Sequence, residues 1–130
     1  MPVSSRRLAH ILACRLNSVL PPRYNVAEEE DELTLYCDGE RDMTSNILHI
    51  VEDDTRSLSE RLETATSGVL NSIQDAISEL EHVPWPSTDG REMAMPGARL
   101  LKERLVLWYG DEANPLVSLQ PIAVRELWEE

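Results

Sequence analysis

Between Leu58 and Val83 the apolar residues recur at steps of four and three: Leu58, Leu62, Ala65, Val69, Ile73, Ala76, Leu80 and Val83. Such steps return to one side of an α-helix at every turn, so the stretch predicts a single long amphipathic helix. Glu60, Glu63, Asn71, Gln74 and Glu81 fall on the opposite side. Ser57 and Glu60 stand in the S-x-x-E relation of a capping box, and Asp53 and Asp54 precede them, where the helix dipole favours anions. An earlier helix is predicted from a Ser4 or Ser5 cap to about Val19. Leu8, Ile11, Leu12, Leu16, Val19 and Leu20 share its apolar side, Arg15 lies within that side, and Pro21-Pro22 ends it.

The strand signals have a period of two. Leu33, Leu35 and Cys37 alternate with Thr34 and Tyr36, after an acidic stretch at 27–32 that reads as a solvated loop. Asp38-Gly39 signals a turn, and "NILHIV" (46–51) reads as the returning antiparallel strand. A short strand within 93–101 precedes a strong one at 104–110, where Leu105, Leu107 and Tyr109 alternate with Val106 and Trp108. "PLVSLQ" from Pro115 reads as another strand, and "VRELWEE" as one helical turn.

Two stretches echo each other. "ELTLYCDGE" (32–40) aligns with "RLVLWYGDE" (104–112), and "LACRLNSVLPP" (12–22) with "AISELEHVPWP" (76–86). Each half reads as helix, proline stop, irregular loop, strand, polar turn, strand. The expectation is an α+β protein, with an antiparallel sheet of four to five strands and two helices on one face. It forms a single domain over 1–130, with pseudo-repeat halves at 4–51 and 55–122. The echoing positions are apolar and turn residues, not nucleophiles or bases, so packing explains the repetition and duplicated catalysis does not.

Charge narrows the function. The net charge is −12, which disfavours direct binding to the phosphate backbone of nucleic acid. It is unevenly spread: residues 1–23 carry Arg6, Arg7, Arg15 and Arg23 and no acid, whereas all 24 acids lie beyond. That acid-free head also has the composition of an organellar presequence, a reading set aside for a first helix of the folded domain. Lys102 is the single lysine. Cys14 and Cys37 are too few for a disulfide framework and point to a reducing, cytoplasmic setting. No apolar run is long enough to span a bilayer, so no membrane partner is expected.

Candidate chemistry is sparse. His10 and Cys14 stand four apart on the first helix and, with Cys37 and His82, could in principle surround a metal, but no CxxC or HxxxH accompanies them. The acidic runs Glu28–Glu32 and Glu52–Asp54 lack the alternating ligands and glycine of a calcium loop. No catalytic, cofactor-binding or metal residue is therefore assigned. Arg15, Tyr36, Trp85 and Trp108 are taken as a candidate interaction surface, because tryptophan, tyrosine and arginine dominate binding hot spots. Trp108 and Tyr36 are expected to share the sheet face away from the helices.

The run "PWP", then "MAMPGARLLKERLVLWYGDEANPLVSLQPI", resembles the C-terminal half of small uncharacterised proteins of high-GC actinobacteria, a resemblance that carries no activity. More remotely, an acidic chain ordered as helix, strands, long helix and strands is similar to the type III secretion chaperone-like fold. That similarity implies a dimeric, peptide-binding α+β domain. The function expected is a non-catalytic protein-interaction or chaperone-like module, with a protein partner or self-association and no cofactor. Two alternatives stand beside it: a small enzyme with a carboxylate/histidine site using His82 near the Trp85 loop, and an acidic mimic of nucleic acid.

Overall fold

The computed structural model describes residues 2–129. Helix α1 (Ser5–Asn17) is followed by strands β1 (Tyr24–Glu29), β2 (Glu32–Cys37) and β3 (Glu40–Ser45), then a 3₁₀ segment at Ile47–Glu52. Helix α2 (Leu58–Glu81) leads to β4 (Pro96–Leu101), β5 (Arg104–Gly110), β6 (Pro115–Ser118) and β7 (Ile122–Ala123), with a 3₁₀ turn at Val124–Leu127. The class is α+β, as the periodicities predict. The strands form two antiparallel sheets where one was expected: β1-β2-β3, and β4-β5-β6 with β7 also paired to β5. The echoing strands β2 and β5 hold equivalent places, each at the centre of the meander that follows its helix.

The helix starts form as the sequence dictates. The Ser4 hydroxyl accepts from Arg7 N–H at 3.2 Å, and the Ser57 hydroxyl from Glu60 N–H at 3.1 Å. Leu8, Leu12 and Leu16 of α1 are fully buried, as are Leu62, Ala65, Val69 and Ile73 of α2. The apolar side of α2 is broader than its stripe. Thr66, Leu70, Gln74 and Ile77 are also buried, because α2 packs against the 3₁₀ segment on one flank and β4 on the other. Gln74 and Glu63, assigned to the polar side by spacing, therefore face protein: Gln74 donates to the Ala94 carbonyl, and Glu63 accepts from Leu100 N–H at 2.7 Å.

Three elements differ from the sequence expectation. The acidic "loop" at 27–32 is mostly the first hairpin, with Tyr24 and Val26 buried in β1 and only Glu30 and Asp31 in its turn. The strand returning from Asp38-Gly39 is the polar β3, paired with β2 through a bulge between Leu35 and Tyr36. Asp38 and Gly39 have φ of 52° and 85°, the paired positive values of a tight hairpin turn. "NILHIV" instead forms the 3₁₀ segment, burying Leu48 and Val51, three residues apart and on one side at three residues per turn.

Both sheets protect an edge. The Asn17 side-chain amide clamps β1, donating to the Val26 carbonyl and accepting from Val26 N–H, each at 2.8 Å. On β4, Glu63 takes the Leu100 N–H, and Pro96 has none to offer. The chain ends meet: Val3 bridges Trp128, and Ser4 N–H donates to the Leu127 carbonyl at 2.8 Å.

Candidate interaction surface

The four aromatic and arginine residues singled out from the sequence lie in four different places. Arg15 is half-buried on α1 and meets no carboxylate among the described residues; it donates to the carbonyls of Gln120 (3.0 Å) and Pro121 (3.2 Å), tying α1 to the segment after β6. Trp85 packs on the core, its ring edge-on to Tyr109 with centroids 5.4 Å apart. It follows the C-terminus of α2 and precedes a cis peptide bond to Pro86. Tyr36 lies on the outer face of the first sheet, where its hydroxyl donates to Glu29 at 2.6 Å beside Arg41.

Trp108 does point away from the core, opposite Leu105, Leu107 and Tyr109. Tyr36 and Trp108 do not share a face, because they belong to separate sheets. Nor is Trp108 open: it is 8% exposed, lying flat over Gly97 on the neighbouring strand, with its indole N–H on the Gly110 carbonyl at 3.1 Å. A glycine opposite a large ring lets the ring fold down onto the sheet.

The groups that could carry chemistry are dispersed. His10 and Cys14 are exposed on α1, Cys37 is half-buried in β2, and His82 is the exposed left-handed cap of α2. Among the described residues no three of His, Cys, Asp or Glu gather as metal ligands. A cavity of about 530 Å³ lies between the loop after Pro86 and the β5–β6 turn; Asp89, Glu92 and Asp111 line it, and His82 does not. Backbone N–H groups of Arg91 and Glu92 and the Ser87 hydroxyl hold the Asp89 carboxyl below its ordinary range, so Asp89 stays an ionised acceptor rather than a proton donor. The two buried tyrosines are raised, Tyr109 by burial and Tyr24 by burial and its hydrogen bond to Glu81. Tyr109 donates to the Leu70 carbonyl at 2.7 Å and thereby joins the second sheet to α2.

Among the described residues, two of the five exposed large apolar side chains, Leu101 and Leu116, lie at opposite ends of the second sheet's outer face; Val83, Met95 and Trp128 lie off it. Alternation turns Leu100, Leu105, Leu107 and Tyr109 inward, and places Leu101, Val106, Trp108 and Leu116 outward. Leu101 is 49% exposed and Leu116 41%, and Trp128, beyond the last 3₁₀ turn, is 40% exposed. Three cations adjoin the Leu101 end: Lys102 in the β4–β5 turn, Arg104 opening β5, and Arg125. None forms an ion pair among the described residues. The pattern of β4 and β5 contained this surface, since an inward Leu100 forces an outward Leu101. The two consecutive leucines concealed it. Comparison of the chain with protein-family models, curated proteins and solved structures finds no match.

Proposed function

We propose that this chain is a non-catalytic protein-interaction module that docks a protein through the outer face of its second sheet. The observation that carries this reading is the exposure of Leu101 and Leu116 on a sheet whose other face is already covered by α2. Large apolar side chains exposed at the two ends of one sheet face lose water contact favourably when a partner covers them, at about 25 cal/mol per Å². The same argument accommodates a second copy as the partner. Among the described residues no helix is long and apolar enough to cross a membrane.

The test is capture from native lysate of the source organism by tagged protein, compared with Leu116→Asp, alongside sedimentation velocity of both. Leu116 is a surface side chain, and thermal melts would check that the variant folds. A stoichiometric partner, or a dimer, that is present with the native chain and lost with the variant supports the reading. A strictly monomeric protein that captures nothing refutes it.

A further inference from the structure

Nine of the twelve lysines and arginines lie elsewhere, and five of these meet carboxylates: Arg6 with Glu28, Arg23 with Asp38 and Glu81, Arg41 with Glu29, Arg56 with Asp53 and Glu60, Arg99 with Glu112. In a chain with twice as many acids as bases, a cation readily finds a carboxylate. Among the described residues Lys102, Arg104 and Arg125 nonetheless form no ion pair, although each is exposed and able to swing. Glu103, in the same turn, offsets one of the three charges. Lys102 also holds a positive φ of 60°, a backbone conformation in which glycine or asparagine is the easier residue.

The cations rim two adjoining clefts of about 330 and 510 Å³, which share Lys102, Glu103, Ala123 and Arg125. Leu58 and Trp128 wall the first, and Leu101 and Arg104 the second. A water occupies about 30 Å³ of liquid, so the clefts admit side chains rather than a single ion. Their lining pairs positive rim charges with aliphatic and indole surface.

We infer that this double cleft, between the β4–β5 turn and Trp128, binds an acidic polypeptide segment that carries apolar side chains. Lys102, Arg104 and Arg125 take its carboxylates, and Leu101 and Trp128 take its apolar groups. The inference rests on the protein-interaction reading and names the chemistry of the partner. Charge complementarity sets the choice of occupant. A two-fold pairing of the cleft with itself would bring like charges together, which is unfavourable. The chain's own acidic hairpin has Glu28 beside Arg6 and His10, and Glu29 on Arg41. A nucleic acid would extend past three cations onto a protein of net charge −12.

The experiment is fluorescence anisotropy with a fluorescein-labelled peptide, Glu-Asp-Leu-Glu-Leu-Asp-Glu, titrated with the native chain. Controls are a peptide with glycine for leucine, one with lysine for each acid, and a labelled oligothymidylate. Binding of the acidic leucine peptide is expected to exceed that of every control and to weaken with salt. It should fall about tenfold or more in K102E/R104E/R125E, since each exposed pair is worth a few tenths to one kcal/mol. A Trp128→Ala variant keeps the cations and should weaken the leucine peptide but not the glycine one. No anisotropy change, equal binding by the triple variant, or tighter binding of the oligonucleotide would overturn the inference. So would self-association that the triple variant abolishes, which makes a second copy the occupant. If a lysate partner is lost with Leu116→Asp but retained by the triple variant, the interaction reading stands and this cleft is not its site.

Discussion

Gly97 has no room for even one more carbon. A Cβ built on it would lie 2.5 Å from Cζ2 of Trp108, 2.6 Å from Cε2 and 2.9 Å from Nε1. These are ring atoms of a side chain that is 8% exposed and anchored by the Gly110 carbonyl, so the clash is not with a loose end. Gly97→Ala should force the indole off the sheet, breaking its 3.1 Å hydrogen bond and exposing its face. Overpacking of this kind costs about 1–3 kcal/mol, and alanine's lower backbone entropy in the unfolded chain returns a part of that, up to about 1 kcal/mol. A net loss of about 1–2 kcal/mol corresponds, for a chain of this length, to a drop in Tm of roughly 3–8 °C. The assay is thermal unfolding followed by far-ultraviolet circular dichroism, with tryptophan emission read on the folded state. Emission should shift to the red as Trp108 becomes wet. In a Trp108→Leu background the same Gly97→Ala change should cost far less, and the difference is the coupling of the pair. Unchanged Tm and emission in Gly97→Ala, or an equal cost in both backgrounds, would refute the packing argument.

Three further outcomes follow from the same geometry. Thr66 is fully buried and its hydroxyl has no hydrogen-bond partner among the described residues, so Thr66→Val should raise stability by about 1 kcal/mol in urea unfolding, as removal of an unpaired polar group does. Asn17→Ala opens the Val26 edge of β1 by removing both 2.8 Å hydrogen bonds. It should cost about 1–3 kcal/mol with an unchanged denaturant slope, and light scattering should show more association through the bared strand. Glu29 is held below its ordinary carboxyl value of 4.5 by hydrogen bonds from Thr34 and Tyr36 and by Arg41. A lowered folded value means the unfolded chain takes up the proton first. The contribution of Glu29 is therefore complete above about pH 5.5 and lost as pH falls through and below the ordinary value. The stability difference between the native chain and Glu29→Gln should accordingly shrink on acidification and be flat at neutral pH.

Lysate capture aside, each of these experiments asks about contacts that no one-dimensional pattern shows, and that marks where the sequence stops. The stripe from Leu58 to Leu80 was enough to define α2, because an apolar side repeated over many turns has one way to be buried; Val83, expected to continue it, lies past the helix end and is 51% exposed. Ser4 and Ser57 marked the helix starts, and Leu33–Cys37 and Leu105–Tyr109 the central strands, through alternation and local hydrogen bonding alone. The echo of 32–40 with 104–112 falls on β2 and β5, each the central strand of its sheet.

Tertiary structure decided what neighbours decide. β3 is polar because it is an edge, so hydropathy could not mark it. "NILHIV" has the composition of a strand, but packing on α2 selects the 3₁₀ spacing that buries Leu48 and Val51 together. Gln74 and Glu63 look solvent-facing until the second sheet arrives beside α2 and supplies the Ala94 carbonyl and the Leu100 N–H. Trp108 reads as an open aromatic until Gly97 is placed opposite it. Whether a charged side chain is paired or free depends on residues far away in the chain, which is why the grouping of Lys102, Arg104 and Arg125, with no ion pair among the described residues, shows only once the fold is in place.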